Sequence, residues 1–443
     1  MLSIINRILA VTIISLVSSC GDPNPNPSPT NKALTIDQIS QSYVRIVLGL
    51  GEHEVGYIDA YYGPDLWATQ VKAQAPTLTE LKEKTRVLLR ALKKIIPIGK
   101  MDSDRISFLT KQIIAVNARI RMLEGETFTF DEETQLLFDA ISPGVTEAEL
   151  EDTLIKLDAL IPGKGTLSKR MVEFKKEFII PPEKLDSVFQ AAMKACHDRT
   201  VKYLNLPKGE SFVTEYVTDK VWSGYNWYQG NAHSLIQVNV DLPIYIDRAI
   251  DLGCHEGYPG HHVFNSVLEQ NLVRGKGWVE YSIYPLYSPQ SLLAEGTANY
   301  GIQMAFPEGE KLEFERGVLY PIAGLNPEKA EIYEKALNIM HNLRYARTEI
   351  ARRYLDGHTT REEAIEWTQK YSLTSYEQAE QSIRFIEHYR GYVINYTLGM
   401  DLSASYVSQN SGGGTDVEKW AAYEVLLSTP KTASMLMGNS PTS

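Results

Sequence analysis

Cys254-His255-Glu256-Gly257-Tyr258-Pro259-Gly260-His261-His262 sets three imidazoles and a carboxylate within eight residues of an apolar neighbourhood, the outline of a metal site. A helix carrying His-Glu-x-x-His places its two histidines one turn apart on one face, where both reach one zinc ion. The glutamate beside the first then takes a proton from water activated at that ion. Here the second histidine comes later. On an unbroken helix His255 and His261 would lie roughly 9 Å apart along the axis and about 240° apart around it, too far to share an ion. The helix therefore has to break. Pro259 has no N–H and its ring meets the carbonyl one turn back, that of His255, while Gly260 tolerates backbone angles closed to other residues. A turn at this pair brings His261, or alternatively His262, back level with His255.

A hydrolytic zinc site needs a third protein ligand and one open position. Glu295 is the candidate, in the helical run Ser291-Leu292-Leu293-Ala294-Glu295-Gly296-Thr297-Ala298-Asn299-Tyr300, whose small residues admit a neighbouring helix closely. His-Glu-x-x-Pro-Gly-His followed by Glu-Gly-x-Ala-x-Tyr resembles the bacterial domain-of-unknown-function family 885. That family is similar to the helical metallopeptidases whose third zinc ligand is a glutamate. The resemblance covers most of the chain beyond the N-terminal segment. It implies a mainly α fold, a large helical zinc-metallopeptidase-like domain with a small β-sheet beside the active-site cleft. It also implies Zn2+ as cofactor, a peptide as substrate, and His261 rather than His262 as the second ligand. Thr297 and Asn299 stand where that family usually carries tryptophan and leucine, so the resemblance does not define the pocket's shape. The C-terminal segment from Ser382 to Gly399 is similar to the family's, with its arginine and its Tyr-x-x-Gly. On that likeness Tyr396 is expected to stabilise an oxyanion and Arg384 to hold a substrate carboxylate. Tyr300, which closes the second motif, and Asn239, on the polar face of a strand, are the expected substrate contacts.

The N-terminus carries Arg7, then the apolar run Ile8 to Val17, then Ser18-Ser19-Cys20. Residues 1–19 read as an export signal too short to be taken as a membrane span. Val-Ser-Ser-Cys resembles the bacterial lipobox, in which the cysteine receives lipid, so residues 20–32 are expected to be a lipid-anchored, Pro-rich linker. That makes the chain an exported bacterial lipoprotein facing the periplasm or cell surface. Residues 33–430 are expected to be one helical metallopeptidase-like domain, followed by a tail over 431–443.

The 443 residues, 43% hydrophobic with 25 Tyr and six Trp, are ample for a buried core. A net charge of −11 argues against nucleic acid as a partner, because phosphate binding needs clustered cations. If Cys20 is lipidated, only Cys196 and Cys254 remain, and they pair only where the fold brings them together. Beside a site of His and Glu, a buried apolar thiol is the expected state of Cys254.

Thr35 with Gln38, Thr77 with Glu80, Thr146 with Glu149, Thr360 with Glu363 and Ser375 with Gln378 have capping-box spacing and predict helix starts. Asn326-Pro327 predicts another, running to Tyr354. Ser234 to Leu242 alternates apolar and polar residues, predicting a strand over 235–242 whose edge receives an extended substrate. Pro243 then suits the first turn of the helix leading to His255. Gly56 to Pro64, rich in aromatics, reads as core, with a ligand cleft as the alternative. Two function classes follow: a lipid-anchored zinc-dependent peptidase with Glu256 as general base, or a non-catalytic zinc-containing binding or envelope-assembly lipoprotein.

Overall fold

The computed structural model describes residues 33–438, and the body from Thr35 onward is one compact unit. The expected export signal, the lipidated Cys20 and the linker lie outside the described residues. Helices dominate, with two small sheets. Among the described residues no helix is long and apolar enough to cross a membrane.

Reciprocal capping starts many of the helices, since the first backbone N–H groups have no partner inside the helix. Thr35 and Gln38 cap α1 (Ile36–Gly51). The strand β1 (Ile58–Tyr61) follows, and Thr77 with Glu80 caps α2 (Leu78–Leu92). The same device opens the helices after Thr146, Thr360 and Ser375. α2 runs antiparallel to α1, because Gly49 near the end of α1 meets Leu81 and Pro76 at the start of α2. Arg105, in the second turn of α3 (Lys100–Leu123), is buried and reaches Asp37 of α1 at 2.9 Å and Glu280 at 2.6 Å.

The larger sheet follows α4 (Leu185–Thr200) and has β2 (Ser211–Val217), β3 (Gly224–Gly230) and β4 (His233–Asn239) in the order β2-β4-β3. β4 is parallel to β2 and antiparallel to β3. The predicted strand is thus central, ends at Asn239, and has both edges hydrogen-bonded, so it has no edge to offer a substrate. β3 takes the place beside the cleft. Pro243 lies in a loop, and Tyr245 bridges to Ile179, so the next helix, α5 (Asp247–Leu252), starts later than predicted. α5 runs into a π-helical turn, Gly253–Gly257, and then α6 (His261–Leu268) begins. The strand β5 (Ile283–Pro285) pairs antiparallel with β1 ahead of α7 (Pro289–Ala305).

The helix predicted from Asn326 to Tyr354 is broken into a 3-10 turn at Pro327–Lys329, a helix Ala330–Met340, a second 3-10 turn and α8 (Ala346–Leu355). The expected tail is also part of the body up to residue 438: Ala433–Met437 is helical, Ala433 and Leu436 are buried, and the Ser434 N–H donates to Asp139 at 3.0 Å.

α9 (Tyr376–Tyr389) leads through one 3-10 turn into α10 (Ile394–Ser411), which crosses α7 backbone to backbone. A Cβ on Gly296 would lie 2.2 Å from the carbonyl carbon of Gly399. Small residues around Glu295 therefore serve the helix crossing that the sequence pattern called for. Gly296→Ala is expected to lower the unfolding free energy by about 3 kcal/mol by forcing the helices apart. Gly317→Ala, where a Cβ meets nothing within 4 Å, is expected to leave the urea midpoint nearly unchanged. Equal midpoints for the two variants would refute the crossing as a tight contact.

Candidate metal centre

The break between the two histidines is a close backbone return. The Gly260 N–H donates to the Cys254 carbonyl at 3.0 Å, and a Cβ on Gly260 would lie 1.8 Å from the His255 carbonyl oxygen. Only glycine fits. The π-helical turn and this return place the His255 and His261 rings 4.7 Å apart and perpendicular. Across from them Glu295 projects from α7, with Oε2 3.2 Å from His255 Nε2 and 3.6 Å from His261 Nε2. One donor atom from each of the three lies within 4.8 Å of the others.

Hydrogen bonds behind these groups fix which atoms face inward. Asn299 Nδ2 donates to the Tyr396 carbonyl at 2.9 Å, so its Oδ1 faces His255 Nδ1, also at 2.9 Å. His255 must then donate from Nδ1, leaving the Nε2 lone pair turned to the site. Tyr392 donates to Glu295 Oε1 at 2.8 Å, leaving Oε2 buried with no hydrogen bond. Asn299 stood out in the sequence only as a departure from the family pattern and Tyr392 not at all, while Tyr300 was stressed instead.

His262 faces the other way. Its Nδ1 meets Ser234 Oγ at 2.9 Å and its Nε2 meets Glu210 at 2.8 Å, so both ring nitrogens are spent. Glu256 is buried beside the triad, its carbonyl accepting from Asn226 and its Oε2 without a partner. β3 closes on it: a Cβ on Gly224 would lie 2.8 Å from Glu256 Oε1.

The electrostatics favour a cation here. Burial alone would lower the His261 pKa, yet Glu295, Glu256 and Asp59 around it raise it to about 9. Burial would raise Glu295, but the two imidazoles hold it well below the usual carboxylate range. Glu256 goes the other way, raised chiefly by burial and only partly offset by His255 and His261. Asp59 of β1, which accepts from the Tyr225 hydroxyl, is raised by burial to about 6. The Gly56 to Pro64 segment thus does both things: Tyr57 is buried in the core and Asp59 faces the cleft.

All these groups open on a cleft of about 1190 Å³. Tyr396 lines it as expected from the C-terminal segment, and burial keeps its phenol protonated. Three expected contacts lie elsewhere. Asn239 donates to the carbonyls of Lys220 and Trp222 in the β2–β3 connection and accepts from the Asp241 N–H, so its amide is already used. Tyr300 packs against Tyr423 on the far side of α7. Arg384 is exposed, because Gln378, Gln381, Ser382, Phe385 and Tyr389 set the cleft face of α9 and position 384 is off that face. Two arginines line the cleft: Arg248, which pairs with Asp251 at 3.2 Å, and Arg347 of α8, whose guanidinium lies 4.5 Å over the Phe385 ring, with its Nε unpartnered and no ion pair to it among the described residues. Burial lowers its pKa. Cys254 is not a free thiol: a disulfide joins it to Cys196 of α4 and ties the histidine turn to that helix.

A mainly helical fold with a small sheet and a buried two-histidine, one-carboxylate centre defines the molecule. No family model and no curated protein matches the chain. Among solved structures it is similar to a candidate lipoprotein from Colwellia psychrerythraea, at 16% identity over 82% of this chain and 68% of that one, with a TM-score of 0.51. That likeness is one of fold. Looser matches, from which nothing follows for this chain, are a candidate lipoprotein of unknown function from Shewanella oneidensis (12% identity, 93% and 79% covered, TM-score 0.41) and metallocarboxypeptidase 1 from Trypanosoma cruzi (14%, 91% and 94%, 0.42).

Gly260→Ala is expected to open the return and cost about 3 kcal/mol of stability or more. Urea unfolding checks this, and an unchanged midpoint would show that the turn has room for a side chain.

Proposed function

We propose that the chain is a zinc-dependent hydrolase of peptide amide bonds, held at a membrane by lipid on Cys20. The observation that carries the reading is the convergence of His255, His261 and Glu295 donor atoms within 4.8 Å, beside the unpartnered Glu256 carboxylate at the floor of an open cleft. Two histidines and a glutamate form the donor set of hydrolytic zinc sites, and the orphaned Glu295 Oε2 fits a cation. His255 Nε2, His261 Nε2 and Glu295 Oε2 would hold the ion. Zinc bound there supplies Lewis acidity, lowering the pKa of water to about 7 and polarising a carbonyl.

The chain's own residues do the rest. Glu256 is buried and not engaged by a donor, so it is free to take a proton from the attacking water and pass it to the leaving amine. Tyr396 stays protonated and donates to the oxygen that gains charge at the scissile carbonyl. Asn299 and Tyr392 hold His255 and Glu295 in register. Arg347 is the group for a substrate carboxylate, since a buried guanidinium with no ion pair among the described residues gains most from a bidentate anion. β3 supplies the backbone along which an extended peptide lies. The Cys196–Cys254 disulfide fits an oxidising compartment, in line with export.

Glu256→Gln is expected to keep stoichiometric zinc and lose roughly a hundred- to ten-thousand-fold in turnover of a mixed peptide library. His261→Ala is expected to lose the metal and His262→Ala to retain it, both read by metal analysis. Zinc without hydrolysis of any peptide by the unaltered chain would instead favour a binding lipoprotein. Arg347→Met is expected to raise KM about tenfold or more for peptides with a free C-terminal carboxylate and to spare amidated ones. Equal effects on both would remove Arg347 from that role. Cys20→Ala is expected to release the protein from membranes; a variant that still sediments with them would place the anchor elsewhere.

A further inference from the structure

Most exposed apolar side chains of the body stand singly, as on any soluble surface, but the turn between α2 and α3 gathers several. Ile96 and Ile98 flank Pro97 and are 86% and 87% exposed, with Met101 of the first α3 turn 38% exposed beside them. Such a cluster calls for a covering surface. Two isoleucines and a methionine cannot supply the roughly 1,200 Å² that a specific protein interface buries.

Charge and position both bear on the occupant. Lys93, Lys94 and Lys100 bracket the apolar pair and are exposed. Lys93 and Lys94 have no ion pair among the described residues. Of the nearby acids, Asp104 is shared between Lys100 at 3.3 Å and Lys431 at 3.6 Å, and Asp102 accepts from the Ile98 N–H at 3.2 Å. The turn is thus a cationic spot on a chain of net charge −11. Between the two isoleucines Pro97 has no N–H, and that of Ile98 is already satisfied by Asp102. Because α1 and α2 are antiparallel and Arg105 clasps Asp37 at 2.9 Å, the turn lies at the end of the body where the chain enters α1.

We propose that the 93–101 turn is a membrane-contact wedge, with Ile96 and Ile98 entering the apolar boundary of a phospholipid surface and Lys93 and Lys94 meeting its anionic headgroups. The wedge fixes which end of the body faces the bilayer. The contact is made by the body itself and is weak beside a lipid anchor, so it orients the body without holding the chain at the membrane, and it is independent of the metal centre.

The test uses the full chain with Ile98→Cys carrying the environment-sensitive fluorophore NBD, and Val55→Cys labelled as the control. Val55 is fully exposed on the turn after α1, at the opposite end of that helix. The unsubstituted chain, treated alike, reports any signal from Cys20. With vesicles of phosphatidylethanolamine and phosphatidylglycerol, the probe at 98 is expected to brighten severalfold and shift to the blue while the probe at 55 stays water-like. Lys93→Gln with Lys94→Gln is expected to reduce that response severalfold at low salt. A probe at 98 that responds no more than the one at 55 overturns the proposal. So does one that responds to protein concentration without vesicles, which would make the occupant a second copy. A lysine pair without effect overturns the headgroup contact.

Discussion

The backbone return at Gly260 is the constraint on which the rest of the centre depends. A six-residue separation puts His255 and His261 on different sides of a helix, and no side-chain movement brings them together. The chain meets this by widening one turn and folding back so tightly that residue 260 has no room for a Cβ. A second glycine contact, Gly296 against Gly399, then brings Glu295 on α7 next to Tyr392 in the turn before α10 and Tyr396 in its first turn. Two places where backbone touches backbone thus assemble groups from three segments far apart in sequence.

Several helix starts were legible because capping is local, although the same device at Thr129 and Thr415 went unread. A threonine and a glutamate three residues on satisfy each other's backbone whatever the rest of the chain does, and every start predicted on that basis is a helix start. The clustering of His255, His261 and Glu295 was legible for the same kind of reason, since Pro-Gly announces a break and small residues around Glu295 announce a close helix. What failed was decided by tertiary contacts. Asn239 has a polar-face pattern, but its amide is drawn to the carbonyls of the neighbouring β2–β3 connection. Arg384 and Arg347 look alike in sequence, and only the phase of α9 against the cleft separates them. Cys254 reads as a buried thiol until α4 brings Cys196 to it. The helix after Asn326 has no glycine or proline inside to mark the breaks at residues 341–345, so nothing local foretold them.

The charges at the centre form a coherent set. His261 held protonated by three carboxylates, and Glu295 held ionised by two imidazoles, are the two halves of a site that wants positive charge between them. Glu256 lies at its margin, where burial outweighs the attraction of the same imidazoles and raises its basicity. Asn299 and Tyr392 each occupy the outward atom of a donor and leave the inward one free. Glu256 Oε2 is left without a hydrogen bond, and Glu295 Oε2 meets only the two imidazole nitrogens, at 3.2 and 3.6 Å.

The central claim is that one ion sits among His255, His261 and Glu295, with Glu256 beside it and not bound to it. A crystal of the zinc-loaded protein, measured above and below the zinc absorption edge, tests this most directly. The account predicts a single anomalous peak within bonding distance of His255 Nε2, His261 Nε2 and Glu295 Oε2, with His262 still on Ser234 and Glu210. A peak on His262 or on Glu256, or no peak in the cleft of fully loaded protein, would contradict it.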